Sequence, residues 1–231
     1  RNFKDAEELG PVGDVLRKIN EIPRIDIVNF GFPCQDLAQG GKRRGFEGSR
    51  SSLFFEAIEI IRSKRPKFFI FENVKGFFTS NRGEDFTIAL RTIADIGYDG
   101  QWQLLNTRKF LPQHRERVYF VGYPRGECKP GIFPIGRSAT EDQQMEKPTK
   151  PSSQYARTLT ARGAGEYHSG MQLLKINGKV RVFTEKECER LQGFPDNWTE
   201  GVPKKQRYKQ CGNAVSVPVV QAVMEKIKCH L

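Results

Sequence analysis

The chain has 231 residues, enough for one large domain or one domain with a small companion, and no apolar run is long enough to span a bilayer. Five scattered cysteines with no Cys-x-x-Cys pair argue against a zinc site and a disulfide framework, and for a reducing, cytoplasmic setting. A formal net charge of +11 suits a polyanionic partner, nucleic acid ahead of an anionic membrane because no basic amphipathic helix stands out; a merely basic enzyme would carry the same charge.

Residues 1–24 have little periodicity. Gly13-Asp14-Val15, followed by Leu16, Ile19 and Ile22, reads as a strand end and a short helix. Ile25, Ile27 and Val28 form a β-branched run that predicts a buried strand, ended by Pro33 for want of an N–H. Cys34 then stands at a strand's C-terminal end, the edge where open α/β sheets place their chemistry. By itself Cys34 reads either as a small buried hydrophobe, which this stretch alone slightly favours, or as a nucleophile ionised by cationic surroundings. The loop from Gln35 to Ser52 holds Gly40, Gly41, Gly45 and Gly48 with Lys42, Arg43, Arg44 and Arg50, a composition suited either to a solvated loop or to a lid that meets phosphates.

Hydroxyls at 49–52 and the spacing of Leu53, Phe54, Ala57, Ile58, Ile60 and Ile61 predict a helix stopped before Pro66. Phe68-Phe69-Ile70-Phe71 predicts a strand covered on both faces, closed by Glu72-Asn73-Val74. Residues 84–96 are periodic as a helix, with Gly97 at C′. Gln101–Leu105 and Arg117–Tyr123 predict strands, and the turn between them brings Arg115 and Arg117 two residues apart on one side of an extended segment. A looser texture from Pro124 to Ser153 marks a domain boundary near 124. Arg157–Gly165 is strand-like and runs into a glycine loop. Lys179–Phe183 is a short strand, Thr184 with Glu187 is a capping box, and a last helix covers 217–228.

A thiol (Cys34), a carboxyl (Glu72) and two guanidinium groups (Arg115, Arg117) thus share strand edges. This set suits covalent catalysis on an electron-poor ring: a thiolate adds, an acid serves a ring nitrogen, and an arginine holds an oxygen or a phosphate. Read singly, Glu72 could equally pair with a lysine, and arginines in a turn are usually solvated.

The order of these pieces resembles the cytosine-C5 DNA methyltransferases of bacterial restriction–modification systems over nearly the whole chain. The resemblance is carried by Gly31-Phe32-Pro33-Cys34-Gln35, Ser49-Arg50 with Leu53-Phe54-Phe55, Glu72-Asn73-Val74 and Gln113-x-Arg115-x-Arg117. Arg157-Thr158-Leu159-Thr160, Glu189 to Pro195, and Gln210-x-Gly212-Asn213-Ala214-Val215 complete it. It implies an α/β fold, a Rossmann-like S-adenosylmethionine-dependent methyltransferase domain (1–123 plus 207–231), with a small, mostly β target-recognition domain (124–206). It implies that a cytosine flipped from duplex DNA is attacked at C6 by Cys34. Glu72 would serve N3 and the amino group, Arg117 would hold the O2 side, and Arg115 would lie nearer the phosphates. Asp14, Pro33, Leu53, Asn213 and Ala214 fall on cofactor positions, and Asn73 and Gln113 on supports that hydrogen-bond within their loops. DNA contacts fall to Lys42, Arg43, Arg44 and Arg50 and to the Arg162-Gly163 loop, which is otherwise a simple hairpin connection. Acting on chromosomal DNA, such an enzyme would be cytoplasmic and nucleoid-associated.

Two departures stand out. The family's opening strand, its Phe-x-Gly-x-Gly loop and the acidic residue after it have no counterpart here, so a preceding segment or a second chain would supply the rest of the cofactor site. The stretch from Arg117 to Arg157 is also short for a recognition region. A tRNA-directed relative of the same fold, and a DNA-binding subunit inactive without a partner, are the alternatives to DNA methylation.

Overall fold

The computed structural model describes residues 3–32, 52–126, 131–136, 155–160, 174–176 and 179–231. A helix, α1 (Val12–Arg17), precedes strand β1 (Ile27–Gly31). Next come α2 (Ser52–Lys64), β2 (Phe68–Val74), α3 (Glu84–Asp95) and β3 (Tyr98–Asn106). A two-residue strand β4 (Gln113–His114) leads into the long β5 (Glu116–Pro124). Short strands β6 (Ala156–Arg157), β7 (Leu174–Ile176) and β8 (Lys179–Arg181) follow, and α4 (Glu185–Gln192), α5 (Lys204–Asn213) and α6 (Val217–Lys228) close the chain.

The main sheet has the order β1-β2-β5-β3 among the described residues. β1 and β2 are parallel, and β5 runs antiparallel to both β2 and β3. β2 is apolar on both faces because both are covered, as its unbroken Phe68–Phe71 run predicts. On one face α2 and α3 place Phe54, Ile58, Ile61, Ala89 and Ile93 against Phe69, Phe71 and Phe120. On the other, Val219, Val223 and Ile227 of α6 meet Phe68, Ile70, Tyr119 and Val121. The first face is largely aromatic: Trp102, Phe120 and Phe71 stack nearly parallel across three strands, at 6.0 Å and 4.8 Å between neighbouring centroids. Two paired glycines make room for these rings. A methyl at Gly122 would stand 2.1 Å from Phe69, and one at Gly100 would stand 2.2 Å from Phe120.

One expectation from sequence is corrected. Gly13-Asp14-Val15 is not a strand end but lies within α1, which packs against α2; Gly13 is too isolated to break a six-residue turn of helix. Beyond the boundary expected near 124, residues 131–136 still pack against the main sheet. Ile132 and Ile135 are buried beneath α6, and the amides of Phe133 and Ile135 donate to Gln101 Oε1 and Gln103 Oε1. Proline-rich texture there reflects an irregular strap whose backbone is satisfied by glutamine side chains of β3 rather than a linker between domains. Beyond it a third cluster, Ala156, Leu159, Cys188, Leu191, Tyr208 and Cys211, joins β6, α4 and α5. The helix expectations for 53–64, 84–96 and 217–228 hold, with Gly97 in the left-handed conformation after α3.

Candidate active site

The strand directions converge on one edge of the sheet. β1 and β2 end there, and β5, being antiparallel, starts there. Register sets Gly31 opposite Glu72, and Val74 opposite Arg117. Arg117 Nε lies 2.8 Å from Glu72 Oε1, with both side chains mostly buried, and Arg117 Nη1 donates to its neighbour's carbonyl, Glu116 O. A methyl at Gly31 would stand 3.8 Å from Glu72 Oε2, so the carboxyl faces bare backbone at the end of β1. Burial pushes the Glu72 carboxyl above the usual carboxylate range, and the nearby positive charges of Arg117 and Arg115 only partly offset it. A carboxyl so placed holds its proton more readily than a free one and can donate it. Tyr119, directly across from Glu72 on β5, is buried, and burial together with the Glu72 charge raises its phenol.

Asn73, buried at the same edge, accepts from the Val74 amide through Oδ1 at 2.8 Å, the local support expected of it. Gln113 is also fully buried, but its side-chain amide has no hydrogen-bond partner among the described residues, contrary to the local bonding expected for it. Arg115 departs most from expectation. It is 3% exposed and reaches toward no phosphate surface. Its guanidinium donates to Leu159 O and Ala214 O at 2.9 Å each, and both terminal nitrogens lie 3.4 Å from Gly212 O. Asn106 Oδ1 accepts from the amides of Arg108 and Arg115 and fixes the turn, and the distant carbonyls then draw the side chain beneath the end of α5.

The residues expected on the cofactor side fall in two places. Asp14, paired with Arg17 at 2.8 Å, and Leu53, 37% exposed, sit on the neighbouring helices α1 and α2. Asn213 and Ala214 form the turn from α5 to α6. No bond among the described residues joins the two pairs. Ala214 also borders a recess of ≈ 280 Å³ with Phe194, Trp198, Thr199, Glu200 and Gln210. Phe194 and Trp198 stack there at 5.8 Å, and Phe3 meets Trp198 edge-on at 5.9 Å. The wall is built by Glu189, a fully buried carboxylate that accepts from the amides of Asn197 and Thr199 and from Arg207. Burial alone would raise Glu189, but these hydrogen bonds hold it below the usual range. A stacked aromatic floor with polar atoms at its rim fits one side of a nucleoside-like cofactor.

Pro33, Cys34, Lys42, Arg43, Arg44, Arg50, Arg162 and Gly163 lie outside the described residues. Sequence reasoning missed the recess and the burial of Glu189 and Gln192. Their signal was present: Cys188 and Gln192, four apart, put a polar side chain on the apolar face of α4. Among the described residues no helix is long and apolar enough to cross a membrane.

Comparison with known proteins agrees with this geometry. The family model for C-5 cytosine-specific DNA methylase matches residues 2–162 and 132–229. The type II methyltransferase M1.ScrFI of Lactococcus lactis subsp. cremoris is 36% identical over 98% of this chain and 67% of its own length. M.NgoBI of Neisseria gonorrhoeae is 36% identical over 92% of this chain and 77% of its own. The crystal structure of S. pombe Dnmt2 methyltransferase shares the fold, with a TM-score of 0.61 at 21% identity over 89% of this chain and 78% of that one. An acidic and a basic group meeting at the edge where β1 ends, and a match that runs across both halves of the chain, have one common explanation: this chain belongs to the C-5 cytosine-specific DNA methylase family.

Proposed function

We propose that the protein methylates C5 of a cytosine flipped out of duplex DNA, through a covalent bond between Cys34 and C6. The observation that carries this reading is the Glu72–Arg117 pair, half-sheltered at the sheet edge where the strand leading to Cys34 ends. The Cys34 thiolate bonds to C6 while the C5–C6 π pair moves into the ring. Glu72, its carboxyl raised by burial, donates toward N3 and takes up the charge that develops there. Arg117 holds O2 and keeps Glu72 in place. S-adenosylmethionine, the cofactor of this family, supplies an electrophilic methyl group for C5 when bound. Solvent takes the C5 proton, the thiolate of Cys34 leaves C6, and N3 returns its proton to Glu72, which restores the aromatic ring and the enzyme.

Asn213, Ala214 and the Phe194–Trp198 recess hold one side of the cofactor, with Asp14 and Leu53 toward its adenine. The outer edge of β1 has no partner strand among the described residues, and a further segment or a second chain docking there completes the pocket. The glycine- and arginine-rich loop from Gln35 to Ser52 and the Arg162-Gly163 loop meet the DNA.

The test is trapping. Duplex DNA containing 5-fluorocytosine and S-adenosylmethionine gives a stable adduct, because fluorine cannot leave as the proton does. Cys34→Ala gives no adduct and no methyl transfer, while duplex binding persists. Methyl transfer by Cys34→Ala sinks the mechanism. Labelling of tRNA in place of duplex DNA sinks the substrate assignment.

A further inference from the structure

We infer that Gln192, outside every site assigned above, is a positioning residue for the cofactor: its one amide braces both ends of the turn that presents Asn213 and Ala214. The inference rests on the functional reading above for what that turn holds.

Gln192 ends α4 and is completely buried. Its Nε2 donates to Cys211 O at 2.7 Å, just before the turn. Its Oε1 accepts from Ser216 Oγ at 3.0 Å, just after it. Thr107 Oγ1 lies 2.7 Å from Ser216 Oγ and extends the chain to the end of β3. The direction of this relay follows from chemistry. A carbonyl can only accept, so Cys211 O fixes which end of the amide faces it. Oε1 must therefore face Ser216, whose single hydroxyl proton is spent on it. Thr107 then donates to Ser216. All three side chains are at most 3% exposed, so water does not substitute for a lost partner.

The serine gives the second, independent sign. Ser216 is the N-cap of α6, where a hydroxyl ordinarily accepts from the first turn's amides. Its hydroxyl makes no such cap bond. It donates to Gln192 and accepts from Thr107 instead. At the other end, α5 would leave its last carbonyls unpaired. Cys211 O goes to Gln192, and Gly212 O to Arg115. The turn between is short, and Asn213 at its apex is exposed. A turn clamped at both ends and open at its apex is suited to offering fixed groups to a ligand.

The experiment uses the full-length protein, with binding of S-adenosylmethionine and of duplex DNA measured separately. Gln192→Leu keeps the volume and removes both bonds. It should weaken S-adenosylmethionine binding about tenfold while duplex affinity, and kcat at saturating cofactor, stay within about twofold. Amide exchange across 213–220 should quicken by about tenfold in the same variant, whatever ligand is present. Ser216→Ala removes the middle of the relay with less disturbance. Should Gln192→Leu fail to fold, Ser216→Ala decides the matter with a weakening of about threefold, again confined to the cofactor. Unchanged cofactor binding in the variant that folds, or an equal loss for DNA and cofactor, overturns the inference. Wild-type protein that binds no S-adenosylmethionine sinks the functional reading, and the cofactor role of Gln192 with it. A wild type that binds it, beside a variant that binds it equally well, sinks the role of Gln192 alone.

Discussion

In the proposed mechanism Glu72 is the residue on which the chemistry turns, because its burial and its partner pull in opposite directions. Burial raises the carboxyl, Arg117 at 2.8 Å lowers it, and burial prevails. Glu72→Gln keeps the shape and removes the transferable proton, so methyl transfer should slow by about 10²-fold or more, read in single-turnover assays. A near-normal rate would remove Glu72 from the mechanism. The same shift makes a stability statement. A carboxyl whose pKa is raised on folding contributes stability that is complete below the unfolded pKa and is lost as pH rises through the folded one. Parent protein should therefore lose stability relative to Glu72→Gln as pH rises above the ordinary carboxylate range, as followed by urea unfolding at each pH. A difference that runs the other way would mean that the Arg117 charge outweighs burial.

At the scale of elements, the parts legible in the sequence are those fixed by periodicity and punctuation. The apolar spacing of α2, α3 and α6, the Phe68–Phe71 strand, the Thr184–Glu187 capping box and Gly97 each follow from local rules. The Glu72–Arg117 pair was legible because both residues lie at strand ends that share an edge; Cys34, expected beside them, lies outside the described residues. What could not be read locally are features made by distant partners. The strap at 131–136 is held by glutamines of β3, and Arg115 is drawn under α5 by carbonyls about a hundred residues away. The recess at Phe194 and Trp198 likewise depends on a buried carboxylate, Glu189. Gly193 combines both kinds of information. It ends α4 with φ +84, as a glycine at that place does by local rule, but a methyl there would also stand 2.6 Å from Pro218 Cδ at the start of α6. Gly193→Ala should thus cost more than the ~1–2 kcal/mol of left-handed backbone strain alone. Thermal melts should show that loss, together with weaker cofactor binding as α6 is pushed from α4. A variant with parental stability would mean that α6 yields without cost.

At the scale of the whole molecule, three bodies must keep register: the main sheet, the small cluster around β6 and α4, and the α5–α6 turn. Arg115 touches all three. It belongs to the segment between β4 and β5, and its guanidinium donates to Leu159 O after β6 and to Gly212 O and Ala214 O at the turn. Two residues along, Arg117 holds Glu72. One short segment therefore ties the Glu72–Arg117 pair to the α5–α6 turn, the two places that the proposed function assigns to base and cofactor. Charge alone does not perform this task. A guanidinium forks to several carbonyls in one plane, whereas an ammonium is a single point on a flexible stem. Arg115→Lys should therefore behave nearly as Arg115→Ala. Buried carbonyls left without donors cost about 1–3 kcal/mol each and do not add simply, which puts the expected loss at about 3 kcal/mol. Urea unfolding measures it. Limited proteolysis locates it, with cleavage around 155–192 preceding cleavage of the sheet. Should Arg115→Lys retain parental stability and activity, a single positive charge would suffice at this junction. The spacing of the two sites would then rest on the Thr107–Ser216–Gln192 relay, the other buried polar tie between the sheet and the turn.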